Sequence, residues 1–172
     1  MIVTFTIPGS PIAQPRARAA VRMVKGKPFV RVYEPQTLKT ALGLRKINPI
    51  YEWKIKVREA AMKVMGKLKI HDGPVRLDAL LILPRPKYLD AKRYPNGQLL
   101  HYRKPDRDNC EKAILDALKG IAFMDDAQVC CGEVRKVYAA KGAEPEVRIR
   151  IETIDWLVYN AVGGWKGENN GS

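Results

Sequence analysis

The nine-residue stretch Val75 to Leu83 (VRLDALLIL) constrains the fold more than any other part of this chain. Val75, Leu77, Ala79, Leu81 and Leu83 fall on one side of an extended segment; Arg76, Asp78, Leu80 and Ile82 fall on the other. The first side is wholly apolar and the second is apolar in its later half, so the spacing predicts a strand covered at least partly on both faces. Ile2 to Ile7 (IVTFTI) reads as a second strand, ended by Pro8-Gly9. Glu146 to Thr153 (EVRIRIET) reads as another, with Val147, Ile149 and Ile151 sharing a face, and Ala127 to Tyr138 as one more. Between the strands the period changes. Residues around Pro35 to Gly66 read as helical material, with Trp53, Val57, Ala60, Ala61, Val64 and Met65 at helical spacing and Gly66 a plausible terminator. Cys110, Ala113, Ile114, Ala117, Leu118 and Ile121 form the apolar stripe of a helix over Asp108 to Gly120. The expectation is an α+β chain: a single domain over residues 1–153, a mixed β-sheet flanked by helices, and a C-terminal extension over 154–172 that ends in the loose composition GGWKGENNGS.

Charge narrows the partners. The 172 residues carry 31 Lys and Arg against 18 Asp and Glu, a net charge of +13. Such a field attracts polyanions, nucleic acid first among them. A membrane surface fits less well, because no basic amphipathic helix is evident and the longest apolar run contains Asp78 and stops at Pro84. Met1 to Ile12 lacks the charged start of a signal peptide. Three cysteines, Cys110 alone and Cys130 beside Cys131, give neither a disulfide framework nor zinc-ligand spacing, which suits a reducing cytoplasm.

The positive charge is unevenly placed. From Met1 to Tyr33 there is no acidic residue, while Arg16, Arg18, Arg22, Lys25, Lys27 and Arg31 all fall in that stretch. With Lys25-Gly26-Lys27-Pro28 as a turn between two short extended pieces, it reads as an arm or ribbon that contacts phosphates, or as a solvated loop. Arg85 to Lys104 reads as a long loop, either functional or mobile. In it Tyr88, Tyr94 and Tyr102 are interleaved with Lys87, Lys92, Arg93, Arg103 and Lys104, a composition suited to unpaired DNA. His71 and His101 are not at ligand spacing with each other.

Acids cluster in one segment, Lys104 to Val129 (KPDRDNCEKAILDALKGIAFMDDAQV). Asp106 and Asp108 are two apart at the lead-in to the helix, a spacing that in extended chain puts both side chains on one side. Asp125 and Asp126 lie beyond the helix. For Asp126 to return toward Asp106, the intervening Ile121 to Met124 must reverse the chain. Magnesium accounts for aspartates gathered beside a polyanion: it is a hard cation satisfied by a few carboxylates and water, and it neutralises charge in an in-line displacement. Lys112, four residues after Asp108, shares its helix face and is placed to assist at a phosphate. The same residues also admit a plainer reading. Asp108 with Glu111 forms a capping box, Asp108–Lys112 is a surface pair worth a few tenths of a kcal/mol, and Asp125-Asp126 is a turn. Asp78 is a further acid if its strand face looks into the site.

The segment closely resembles the signature of the RusA family of Holliday-junction resolvases: a basic residue, Pro-Asp-x-Asp-Asn, a lysine three residues on, Leu-Asp-Ala-Leu, and then Asp-Asp-Ala-Gln-Val. Every element is present in order over residues 104–129. The opening strand with IPGSPIAQPRAR, Lys136 and the closing EVRIRI strand resemble the family more weakly. The resemblance implies a RusA-like α+β fold and a two-fold homodimer. It also implies a crossover junction endodeoxyribonuclease, often carried by prophages, that cuts four-way DNA with Mg²⁺, Mn²⁺ substituting. On the matching positions it implies that Asp106, Asp108 and Asp126 bind the metal, that Lys112 joins them in catalysis, that Asp125 is accessory, and that Arg16, Arg18, Arg22, Lys25, Lys27, Lys104 and Lys136 contact DNA. The long loop before the motif and the C-terminal segment depart from the shortest members and leave other branched nucleic acids open as substrates. A DNA-binding protein without catalysis is the remaining alternative.

Overall fold

The computed structural model describes residues 1–15, 18–33, 37–39, 45–66 and 72–154. Arg16, His71 and the extension from residue 155 onward lie outside them. In chain order the elements are β1 (Ile2–Pro8), β2 (Arg18–Val24), β3 (Lys27–Tyr33), β4 (Thr37–Lys39), β5 (Arg45–Ile47), α1 (Pro49–Met65), β6 (Val75–Leu83), β7 (Leu99–Leu100), α2 (Arg107–Leu118), β8 (Val129–Cys131), β9 (Val134–Tyr138) and β10 (Glu146–Thr153).

The main sheet runs β1-β10-β6-β9-β7, with β8 also pairing with β6. It is mixed: β8 and β9 lie parallel to β6, and the other pairs are antiparallel. Register builds the core. Val3, Ile151 and Leu77 stand in one row across three strands, Phe5, Ile149 and Ala79 in the next, and Ile7, Val147 and Leu81 in a third. All nine are buried. Both helices lie on this face. Asn48 caps α1 by accepting the Ile50 N–H at 3.2 Å, Pro49 opens it, and Gly66 ends it at φ 52°. α1 buries Ile50, Trp53, Val57, Ala61 and Met65, while α2 buries Cys110, Ala113, Ile114, Ala117 and Leu118. Each large side chain sealed here contributes roughly 1.5–3 kcal/mol. The protein is therefore a single α+β domain with a mixed sheet and two helices among the described residues.

β6 is covered on both faces, by different means. Its second face is ion-paired at one end, where Asp78 meets Arg76 at 2.9 Å and Arg150 at 3.2 Å, and Arg150 meets Glu152 at 2.7 Å. At the other end Leu80 and Ile82 pack with Val137 and Ala139.

Among the described residues, the helical material expected from around Pro35 begins only at Pro49, after β4 and β5. Three further expectations change in detail. The segment Ala127 to Tyr138 is not one strand. A 3-10 turn over Asp126–Gln128 leads into β8, and the chain breaks at Gly132 before β9. Gly132 has φ 142°, and a Cβ there would lie 1.8 Å from the Leu77 carbonyl oxygen, so only glycine lets the chain cross β6 this closely. The segment after Arg85 is pinned rather than loose. It holds a 3-10 turn over Lys87–Asp90 and the short β7. The buried Arg85 guanidinium donates to the carbonyls of Leu89, Pro95 and Gly97, and Lys141 donates to those of Ala91 and Tyr94. Third, α2 starts at Arg107 and ends at Leu118, with Asp106 rather than Asp108 at the N-cap.

The basic ribbon is present. β2 and β3 form a hairpin closed by Lys25 and Gly26, both at positive φ (49° and 74°), the two-residue geometry that matches strand twist. Register divides its faces: Val21–Val30 and Met23–Pro28 lie on one, Ala20–Arg31, Arg22–Phe29 and Val24–Lys27 on the other. Val21, Met23, Phe29 and Val30 are all exposed.

Candidate active site

The start of α2 carries Asp106, Asp108 and Lys112 of the residues singled out in the sequence. Asp106 occupies the N-cap in extended geometry (φ −69°, ψ 141°); its carbonyl accepts the Cys110 N–H at 3.2 Å, and its side chain makes no capping bond. Asp108 lies inside the first helical turn and is exposed. A box between Asp108 and Glu111 is therefore not formed, and the plainer reading of Asp108 as a cap is set aside. A carboxylate in the first turn is favoured by the helix dipole. Because the helix begins at Arg107, the two acids are not neighbours along a strand as the spacing suggested. Asp106 is the N-cap and Asp108 stands in the first turn. Burial pushes the Cys110 thiol up to about 11; Lys136 works against the rise, and Asp108 and Asp106 add to it. Lys112 follows one turn later and is exposed.

The neighbourhood is tied together through the backbone. The Gln14 N–H donates to the Asn109 carbonyl at 2.8 Å, which fastens the segment leading into β2 to the first turn of α2. Arg18, where the ribbon begins, follows four residues later, within about 14 Å of chain. Arg22, Lys25 and Lys27 are exposed on the ribbon, and Lys104 is exposed just before Asp106. The His101 N–H donates to the Lys136 carbonyl at 3.0 Å, and its ring packs on Tyr138 with centroids 4.5 Å apart. Burial, helped by the Lys136 charge, lowers the His101 pKa. Tyr102 is exposed with the Arg103 guanidinium 5.6 Å over its ring. Lys136 turns inward: its ammonium donates to the Arg103 carbonyl at 2.8 Å and to the Pro105 carbonyl at 2.6 Å.

Asp125 and Asp126 sit at the other end of α2. Lys119, just past the last turn, forms an ion pair with Asp125 and reaches Asp126 at 3.5 Å. The chain doubles back at once: the Gly120 N–H donates to the Phe123 carbonyl at 2.8 Å, and Phe123 is fully buried. Asp125 also caps the 3-10 turn by accepting the Ala127 N–H at 3.0 Å, with Gln128 reciprocating. The Lys119 bond, with those of Ala127 and Asp126, lowers Asp125 to about 2. The turn reading thus holds for Asp125. The reversal through Ile121 to Met124 leaves Asp126 beside Lys119 at the far end of α2, and the 12 residues of the helix, at 1.5 Å each, put roughly 18 Å between its two ends. Among the described residues, no three His, Cys, Asp or Glu side chains come together as a metal-holding group.

Asp78 is structural. Burial works to raise its pKa and is outweighed by bonds from Arg76, the Glu133 N–H and Arg150, so the net shift is downward. Lys119 and Gln14 are the residues sequence reasoning passed over. A lysine directly after a helix and six residues before an acidic pair was a legible signal; Gln14 acts through its backbone and left none.

At the start of α2, Asp108 is exposed and Asp106 half-buried, and exposed cations stand on the β2–β3 ribbon. The family model for endodeoxyribonuclease RusA matches residues 8–152, and the chain belongs to that family. It is accordingly an endodeoxyribonuclease, a hydrolase of phosphodiester bonds. It is also 30% identical over 158 residues to a Bacillus subtilis (strain 168) protein described as uncharacterized protein YqaN, spanning 88% of this chain and 96% of that one. No helix among the described residues is long and apolar enough to cross a membrane.

Proposed function

We propose that this protein is a Mg²⁺-dependent crossover junction endonuclease that resolves four-way DNA by paired nicks, as a homodimer, in cytoplasmic recombination and repair. The observation that carries the reading is the placement of Asp106 at the N-cap and of the exposed Asp108 in the first turn of α2. The donors are hard oxygens, the nearby Cys110 thiol stays protonated, and Mg²⁺ retains several waters, so a two-carboxylate platform suits it and Mn²⁺ equally. When bound there, the metal supplies activation of water and neutralisation of charge on the phosphate.

The remaining roles fall to residues of the chain. Asp106 and Asp108 hold the cation and Lys112 faces the phosphate. The ribbon residues Arg18, Arg22, Lys25 and Lys27, with Arg16 and Lys104, hold backbone phosphates without reading sequence. Asp126 belongs to the same site in spite of its distance within one chain. In a two-fold dimer the start of α2 is completed by Asp126 of the partner subunit, and Lys119 balances the acid pair. Two equivalent sites then make two opposed nicks.

The test is cleavage of a labelled four-way junction in competition with flap, fork, linear duplex and RNA substrates, with Mg²⁺ or EDTA. Symmetric paired nicks in the junction, dependent on Mg²⁺ and preferred over the competitors, are expected. Preference for a flap or for RNA would replace the resolvase reading with another branched-substrate nuclease. Tight binding without any cutting would leave a DNA-binding protein.

A further inference from the structure

We propose that Lys136 is a positioning residue of the hydrolytic site, holding the segment before α2 in place rather than contacting DNA; this rests on the function proposed above. Two of its three ammonium protons are committed to carbonyls one and three residues ahead of Asp106, at 2.6 Å from Pro105 and 2.8 Å from Arg103. Bonds of a charged donor to carbonyls are short and strong. Pro105 has no N–H with which to anchor itself, and Tyr102, Arg103 and Lys104 on the same approach are exposed. Lys136 is well placed to act as the anchor. It stands on β9 opposite Leu81 of β6, and its own carbonyl accepts the His101 N–H at 3.0 Å. One residue of the sheet thus grips the strap at two points, by its backbone at His101 and by its side chain at Arg103 and Pro105.

The clamp fixes the backbone that leads into the Asp106 N-cap, and the half-buried Lys136 side chain is committed to it. Residues that orient metal-holding carboxylates from behind typically change metal affinity or activity by about 10–100-fold when removed. A phosphate contact behaves differently: its removal weakens junction binding and lowers the salt slope by about one.

The experiment compares wild type, Lys136→Met and Lys136→Arg. Junction binding is titrated against salt in EDTA, the Mg²⁺ half-saturation of nicking is measured at single turnover, and amide exchange is followed at Cys110, whose N–H bonds to Asp106. For Lys136→Met the expected results are unchanged affinity and salt slope, a Mg²⁺ half-saturation raised by about 10–100-fold, and faster exchange at Cys110 with the β6 amides unchanged. Lys136→Arg keeps the charge and should recover part of the Mg²⁺ response. Weaker binding with a shallower salt slope and an unchanged Mg²⁺ requirement would overturn the proposal in favour of a phosphate contact, and so would unchanged Cys110 exchange. If Lys136→Met does not fold, Lys136→Arg decides, a Mg²⁺ response identical to wild type counting against the clamp. If wild type itself never cuts, the proposed function fails, while accelerated Cys110 exchange still supports the clamp.

Discussion

Mixing two inactive variants should restore cutting. The substitutions are Asp108→Asn at the start of α2 and Asp126→Asn beyond its end. Lys119 holds Asp126 at the far end of α2, and about 18 Å of helix separates its two ends, too far for a single cation to span. If each site combines the start of one α2 with Asp126 of the partner subunit, a heterodimer of the two variants has one site carrying both substitutions and one carrying neither. Random reassortment of equal amounts makes about half the dimers heterodimers, each with one intact site of two, so about a quarter of wild-type sites recover. The assay is nicking of a labelled junction after the variants are unfolded together and refolded, against each refolded alone. The product should be predominantly singly nicked junction, since a heterodimer cannot make the opposed cut. Activity no greater than in the separate variants would mean that each chain carries its own complete acid set, and the argument from helix length would be wrong.

Other consequences follow from particular residues. Gly132→Ala should cost more than about 2 kcal/mol in denaturant unfolding, because the new Cβ collides with the Leu77 carbonyl in a backbone conformation only glycine tolerates; a smaller effect would show that β8 and β9 can shift off β6. Arg22→Ala combined with Lys27→Ala should lower the salt slope of junction binding by about 0.9 for each phosphate that is no longer neutralised, with unfolding free energy changed by less than about 0.5 kcal/mol; an unchanged slope would remove the ribbon from the DNA-binding surface. His101 has a lowered pKa from burial and the Lys136 charge, so its neutral form belongs to the folded state. Its contribution to stability is present above the unfolded-state value of about 6.5 and lost as pH falls below it. Wild type should therefore lose stability relative to His101→Phe between about pH 7 and pH 5, and parallel curves would refute this.

The frame was legible because its signals are local. Period-two alternation in Ile2–Ile7, Val75–Leu83 and Glu146–Thr153 gave β1, β6 and β10, and the helical stripe of Cys110, Ala113, Ile114, Ala117 and Leu118 gave α2 within two residues at each end. Lys25-Gly26 marked the hairpin in the same way. What was hidden depends on contacts distant in sequence. Gly132 interrupts an otherwise strand-like run only because the Leu77 backbone lies beneath it. The loop after Arg85 is fixed by a guanidinium and an ammonium that find carbonyls in the folded state. At the site, Asp106, Asp108 and Lys112 were readable as residues, but whether Asp108 caps depended on where the helix begins, a boundary that propensity resolves poorly. Lys136 looked like one more surface cation; its inward bonds to Arg103 and Pro105 show only in three dimensions.

The most direct measurement is junction nicking by wild type and Asp108→Asn, each with Mg²⁺ and with EDTA, binding being scored in parallel at one fixed salt concentration. Asparagine preserves the size of the side chain, and Asp108 does not cap α2, so folding and DNA binding should be unchanged. Wild type is expected to make paired cuts only with Mg²⁺, and Asp108→Asn to bind equally and cut at least about a hundredfold more slowly. Equal cutting by both, or Mg²⁺-independent cutting by wild type, would contradict the account of the acid pair at the start of α2 as the hydrolytic centre.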